Sequence, residues 1–209
     1  MKKVTVGVPK GRLFDDAVDL FLKAGLIKEK FYEDSRKLVI ADVGSGIDFL
    51  LLRAKDVITY VLEGIADVGI VGYDLLVEHT PDVISLLDLG FGYCKVVVAG
   101  REYAKLNSVT TVKVATKFPN IARSYFRARE IEPRIVELYG SVELASITGL
   151  SDLIVDITST GATLRENNLV IIDEILESTS RLVVNKKSFY FKRKEIAYIA
   201  SRLKDVLKC

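Results

Sequence analysis

Between Leu153 and Arg165 the chain reads LIVDITSTGATLR. An apolar run enters Asp156, and Thr158, Ser159, Thr160, Gly161, Ala162 and Thr163 follow. A strand-to-helix turn needs one cap and one glycine, so this loop carries a surplus of small donors. Hydroxyls and backbone N–H groups in such a loop can wrap an anion, and a helix starting near Thr163 adds the positive end of its dipole. A carboxylate directly beneath a phosphate would repel it, so the partner of Asp156 is a neutral hydroxyl donor beside the phosphate. An acid next to an anion cradle fits a sugar phosphate. The plain alternative is a well-capped helix whose hydroxyls only satisfy their own backbone.

Further charged residues stand where strands give way to helices. Lys10 and Arg12 flank Gly11 after the first apolar run, and Arg53 follows Leu52 at the end of another. In open α/β sheets ligands bind outside the carboxyl ends of strands, so these cations suit additional phosphates, although solvated surface charge is the ordinary fate of Lys and Arg. Asp74 lies in GYDLL, just beyond ADVGIVG, and either contacts a ligand or caps its own helix. Tyr73 beside it reads as packing. Glu143 follows Ser141 and by itself reads as a first-turn acid complementing a helix dipole.

Composition narrows the chemistry. Lys plus Arg number 30 and Asp plus Glu 28, giving +2, so any anion site must be local and there is no global case for nucleic acid or a membrane surface. His79 is the single histidine, which excludes a histidine-based zinc cluster and leaves a Ser-His-Asp triad with little behind it. Cys94 and Cys209 suggest no disulfide framework, and no apolar run approaches the ~18 residues of a membrane span. A reduced cytoplasmic protein is expected. The stretch KKSFYFKRK, Lys186 to Lys194, reads as an edge strand guarded by lysines.

The elements that must position these residues alternate. Strands are expected over 4–8, 38–41, 49–52, 66–72, 83–87 and 94–99, then 112–115, 135–138, 153–156, 170–172 and 181–184. Helices fall between them: 11–24, one capped by Asp56 and ending at Gly64, one near Asp74, one capped by Asn120 and running to Arg129, one from Ser141 to Gly149, and a last over 192–207. That alternation predicts α/β architecture with parallel sheets. The glycine- and turn-rich 89–110 region is the candidate boundary.

The block ELASITGLSDLIVDITSTGATL, Glu143 to Leu164, resembles the signature of the ATP phosphoribosyltransferases, which open histidine biosynthesis. VPKGRL, LLRAKDVITYVLEGIADVGIVGYDLL, LGFGYCKVVVAG and VATKFPNIARSYF are similar to family blocks in the same order, so the resemblance spans nearly the whole chain. It implies two α/β domains of the type II periplasmic-binding-protein kind with the active site in the cleft between them. Domain I would hold residues 1–91 and 179–209, and domain II residues 92–178. It implies a magnesium-dependent attack of ATP N1 on phosphoribosyl pyrophosphate. Glu143 and Asp156 would take the ribose hydroxyls, and Thr158, Ser159, Thr160, Gly161, Ala162 and Thr163 the 5′-phosphate. Lys10, Gly11, Arg12 and Arg53 would face pyrophosphate and ATP, with Lys10 and Arg53 as catalytic cations and Asp74 on the nucleotide. Mg2+ would be held mainly by substrate and water.

The length resembles the short form of the family, which works with a regulatory subunit similar to histidyl-tRNA synthetase. A hetero-oligomer that also self-associates, weakly active alone, is the expectation. Two rival readings stand beside it. A non-catalytic periplasmic-binding-protein-like module would leave the hydroxyl loop without a purpose. A salvage-type base phosphoribosyltransferase normally has two adjacent acids before its loop, whereas Ile157 follows Asp156 here.

Overall fold

The computed structural model describes residues 2–33, 37–41, 46–101 and 110–208. Residues 102–109 of the turn-rich stretch, and Cys209, therefore lie outside the described residues. The chain forms two units, one of Met1–Leu76, Thr80–Gly92 and Thr179–Cys209, the other of Val77–His79 and Tyr93–Ser178.

In chain order, β1 (Val4–Pro9), α1 (Phe14–Lys23), β2 (Val39–Ala41), β3 (Ile47–Leu52), α2 (Ala54–Leu62), β4 (Val68–Gly72), α3 (Tyr73–His79) and β5 (Ile84–Asp88) come first. Then follow β6 (Cys94–Gly100), β7 (Thr111–Thr116), α4 (Pro119–Arg127), β8 (Glu132–Glu137), α5 (Glu143–Ile147), β9 (Leu153–Thr158), α6 (Ala162–Glu166) and β10 (Val170–Ser178). The chain ends with β11 (Ser180–Val184), α7 (Lys186–Phe191) and α8 (Arg193–Leu207).

The first unit is built on a six-stranded sheet ordered β2-β3-β1-β4-β11-β5. Apolar residues at 14, 17, 18 and 21 form one stripe of α1, and this i, i+3, i+4, i+7 spacing buries Phe14, Ala17, Val18 and Phe21 against the sheet. Phe21 meets Phe49 edge to face at 5.3 Å. Ile196, Ile199 and Leu203 of α8 enter the same core. Full burial of each such aliphatic side chain contributes about 1.5–3 kcal/mol. On the other face α2 lies so close that a Cβ on Gly69 would stand 2.7 Å from both Val57 and Val61 methyls. This contact explains a glycine inside the buried β4.

The second unit carries a five-stranded sheet ordered β10-β6-β9-β7-β8. Val97, Ala99, Ala115, Ile154, Leu164 and Leu169 are part of its core. The end of α3 belongs to this unit because Glu78, 3% exposed, accepts the Asn120 N–H at 2.9 Å and the Ile121 N–H at 3.0 Å.

Four expectations are corrected here. The sheets are mixed rather than parallel, since β11 runs antiparallel to β4 and β5, and β6 runs antiparallel to β9 and β10. Asp56 does not cap α2. The helix bonds start at the Arg53 carbonyl, and Asp56 sits in the first turn, where its charge suits the dipole. Asn120 does not cap α4, because Phe118 is the N-cap, Pro119 fills the first turn, and the distant Glu78 satisfies the amides. The 186–194 stretch is helical rather than an edge strand. The Asn185 side chain accepts from the Ser188 N–H, starting α7, and only a helix puts Ser188 and Lys192, four apart, within reach of one carboxylate.

Candidate active site

The loop singled out in the sequence follows β9, whose apolar residues hold Leu153 to Val155 fully in the sheet. Asp156 is 7% exposed. Its Oδ1 accepts the Ile157 N–H at 2.7 Å and pairs with Lys117 Nζ at 2.9 Å. Burial pushes this carboxyl above the ordinary carboxylate range, the Lys117 charge and hydrogen bond pull it back, and Glu143 adds a repulsion in the same direction as burial. Glu143, half-buried in the first turn of α5, is thus electrostatically coupled to Asp156 across the site.

The hydroxyls are arranged around the backbone amides. The Gly161 N–H donates to Thr158 Oγ1 at 2.8 Å, and the Ala162 N–H donates to Thr160 Oγ1 at 3.3 Å. Two of the expected anion donors are therefore spent on the loop's own hydroxyls. This is what a self-capped turn does, and it also marks where acceptor oxygens sit. Ser159 Oγ donates to the Tyr93 carbonyl at 3.3 Å, tying the loop to the start of β6. Gly161 has φ +71°, a left-handed conformation that costs other residues about 1–2 kcal/mol. Thr163 is exposed in the first turn of α6.

In the first unit the carboxyl ends of adjacent strands gather a second group. The Lys10 N–H donates to the Leu52 carbonyl at 2.7 Å, which sets Lys10 and Arg53 at one edge of the sheet. Among the described residues neither side chain has a hydrogen bond or ion pair. Gly11, φ +81°, donates its N–H to Glu33 Oε2 at 2.9 Å, and Arg12 Nη1 donates to the Gly92 carbonyl at 2.6 Å. At the end of β4, Asp74 is 5% exposed and folded back onto Gly72, where a Cβ would lie 2.4 Å from its Oδ1. Arg181 stacks over Tyr73 with its guanidinium carbon 4.9 Å from the ring centroid, and it also pairs with Asp88.

The comparisons with known proteins point one way. A family model for ATP phosphoribosyltransferase (HisG) matches residues 53–205. The chain is 48% identical over 208 residues to an ATP phosphoribosyltransferase of Thermoanaerobacter sp. (strain X514), with 100% of this chain and 98% of that protein covered. It is 46% identical over 202 residues to one of Aquifex aeolicus, covering 96% and 93%. The chain belongs to the ATP phosphoribosyltransferase family. Its activity is the pentosyl transfer of the first step of histidine biosynthesis. Among solved structures it resembles the ATP phosphoribosyltransferase (HisG:HisZ) complex of Thermotoga maritima, with a TM-score of 0.85, 36% identity and 98% of each chain covered. The substrate-binding protein of an amino-acid ABC transporter, at TM-score 0.58 and 15% identity over 98% and 93%, shares the periplasmic-binding-protein fold.

For an ATP phosphoribosyltransferase the structure adds two cations that the sequence reading passed over. Lys117, paired with Asp156, follows β7 as Lys10 follows β1, so the strand-end rule that selected Lys10 and Arg53 applied to it equally. Arg165 Nη1 donates to the Thr160 carbonyl at 2.9 Å and would stand 3.0 Å from a Cβ on Gly161, bringing positive charge onto the loop. Its signal was its place at the end of the hydroxyl-rich stretch. Among the described residues, no three His, Cys, Asp or Glu side chains gather into a metal-binding group, and no helix is long and apolar enough to cross a membrane.

Proposed function

We propose that Asp156 and Glu143 bind the ribose hydroxyls of phosphoribosyl pyrophosphate while Thr158 to Thr163 hold its 5′-phosphate. The observation that carries this reading is the buried Asp156 in the C-terminal half of β9, followed by a loop whose Gly161 and Ala162 amides have loop hydroxyls as acceptors. Phosphate oxygens accept charge-assisted hydrogen bonds, roughly twice as strong as those of neutral acceptors. They can therefore take over the Gly161 and Ala162 N–H groups, freeing Thr158 and Thr160 to donate in turn. Arg165 adds a cation to the same loop.

Adenine N1 of ATP carries a lone pair, so no side-chain nucleophile is required. A bond forms from N1 to the anomeric carbon, and the bond from that carbon to the pyrophosphate oxygen breaks. What the protein contributes is position and charge. Lys10 and Arg53, with the Gly11 and Arg12 segment, take the departing pyrophosphate and ATP phosphates, and Asp74 contacts the nucleotide. The acids beside the anomeric carbon stabilise the positive character it gains. The described carboxylates do not build a cage for Mg2+, whose octahedral shell is normally completed by water and phosphate oxygens. In this reading the ion belongs to the substrate. The enzyme works in the cytoplasm, where it self-associates and assembles with a regulatory subunit like the HisZ of the Thermotoga maritima complex.

The test supplies ATP, phosphoribosyl pyrophosphate and magnesium with that partner and follows the adduct in the ultraviolet. Asp156→Asn and Glu143→Gln are each expected to lower kcat by roughly 100-fold, the scale on which preorganised electrostatic groups act, while the thermal transition stays within a few degrees. Near-normal rates in both variants would remove the ribose assignment.

A further inference from the structure

Asp156 stands beside a clamp formed at the end of β7. Thr116, fully buried at the end of β7, donates its hydroxyl to the Val155 carbonyl at 2.7 Å, and the same oxygen accepts the Phe118 N–H at 2.8 Å. The hydroxyl thus clamps the β7–α4 turn to β9 one residue before Asp156. Lys117 is the residue between Thr116 and Phe118 in that turn. Phe118, 2% exposed, fixes the other side, with the Lys117 ammonium 5.8 Å from its ring centroid. Glu78 then caps the amides of Asn120 and Ile121, so the turn is held at both ends.

We propose that Lys117 is a positioning residue, delivered by the Thr116 clamp, that fixes Oδ1 of Asp156 and its charge so that Oδ2 is left to receive the ribose hydroxyls. The proposal rests on the ribose-site reading above. Among the described residues Oδ2 has no hydrogen bond, while Oδ1 is used by both Lys117 and the Ile157 N–H. The charged groups acting on Asp156 are Lys117 from the β7–α4 turn and Glu143 from α5, and β6 places the uncharged Val97 in register with it. A buried carboxylate that also feels a nearby acid keeps its charge more readily with a cation beside it. Burial and Glu143 favour the protonated form, and a protonated carboxyl is a poor acceptor for two hydroxyls. Lys117 is the countercharge that favours the ionised form of Asp156. At 27% side-chain exposure it is itself partly withdrawn from solvent, so its attraction is weakly screened.

The experiment measures kcat/KM for phosphoribosyl pyrophosphate against pH in the complex with the partner subunit, for the native chain, Lys117→Met, Lys117→Arg and Asp156→Asn. Lys117→Met should move the acid limb upward by about one pH unit, so that the loss grows to roughly tenfold on the acid side of the limb and disappears toward alkaline pH. Lys117→Arg should return most of the loss, because a guanidinium can also pair with Oδ1. A structural lesion would lower the whole profile without moving its limb. The proposal is overturned if Lys117→Met keeps the native acid limb, or if Lys117→Arg is no better than Met, while Asp156→Asn is severely impaired. If Asp156→Asn is itself near normal, the ribose reading falls, and this proposal with it. Should Lys117→Met not fold, the carbon-13 carboxyl titration of Asp156 in Lys117→Arg and native enzyme decides the matter. Similar midpoints support the pairing, and a large upward shift in Arg overturns it.

Discussion

Lys192→Met should unfold the first unit far more readily than its position near the surface suggests. Asp67, 3% exposed between α2 and β4, receives the Thr5 N–H at 2.9 Å, the Ser188 hydroxyl at 2.6 Å and Lys192 Nζ at 2.6 Å. Its backbone carbonyl also accepts the Asn185 N–H at 3.0 Å, while the Asn185 amide reaches the Val61 carbonyl at 2.8 Å. One carboxylate therefore fastens the entry to the final two helices onto β1 and β4. Removing one partner of a buried pair typically costs about 3–5 kcal/mol, because the other charge stays buried. With Lys192 28% exposed the lower end applies, about 3 kcal/mol. At ~2–4 °C per kcal/mol for a chain of this size, the first unit's transition should fall by roughly 6–12 °C. Thermal and urea unfolding followed by far-ultraviolet circular dichroism provide the measurement. The decisive comparison is the double variant Asp67→Asn/Lys192→Met. Asparagine can still accept from the Thr5 N–H with its one oxygen while its NH2 donates to the Ser188 hydroxyl, and it needs no countercharge, so the double variant should be more stable than Lys192→Met alone. A Lys192→Met cost below about 0.5 kcal/mol, the scale of an exposed pair, would refute the reasoning.

Three further outcomes follow from single observations. Gly69→Ala places a methyl 2.7 Å from Val57 and Val61, and overpacking of this kind should cost about 1–3 kcal/mol in the same urea titration. Gly161→Val combines a strained φ of +71° with the crowding of Arg165, so KM for phosphoribosyl pyrophosphate should rise about tenfold or more, and an unchanged value would argue against the anion cradle. Asp88 is pushed up by burial but pulled further down by the Thr179 hydroxyl, the Gly90 N–H and Arg181, leaving it below the usual carboxylate range. A depressed folded value means stability that is present above the unfolded value and lost as pH falls through the folded one. Asp88→Asn should therefore flatten the acid side of the stability profile, and an unaltered slope between pH 5 and 2 would contradict the assignment.

What could be read in the sequence depended on how local its cause was. The α1 stripe and the strand expected over 153–156 rest on spacing and apolar content within a dozen residues, and both formed there, the helix as Phe14–Lys23 and the strand running on to Thr158. The candidate loop after β9 stood out because Thr158, Ser159 and Thr160 are consecutive. The errors arose where a distant partner decides. Asn120 looked like a cap, but Glu78, forty-two residues earlier in the chain, supplies the acceptor. The basic-aromatic stretch looked like a guarded edge strand, but Asp67 draws Ser188 and Lys192 onto one face, more than a hundred residues away. Antiparallel pairing of β11 had no local signal, since its burial on both faces resembles that of a parallel strand. Lys117 was legible in principle: it ends a strand, as Lys10 does. Its significance was not, because that depends on Asp156 being thirty-nine residues along and one strand over.

A self-satisfied turn and the proposed phosphate cradle are not opposed designs. A loop whose amides had no acceptor would bear an unsatisfied N–H wherever water was excluded, at about 1–3 kcal/mol for each such group. Thr158 and Thr160 remove that cost with oxygens that rotate about a single bond, so their replacement needs no movement of the backbone. A phosphate oxygen at the same place gains charge-assisted bonds and leaves the hydroxyls as extra donors. In the proposed phosphate site the backbone would already be held in its binding geometry, by acceptors weaker than the ligand. It follows that Thr158→Val, which deletes the stand-in but keeps the shape, should weaken phosphate binding through a looser Gly161 turn as well as a lost donor. The effect should be larger than that of Thr163→Val, whose hydroxyl, among the described residues, braces no loop amide.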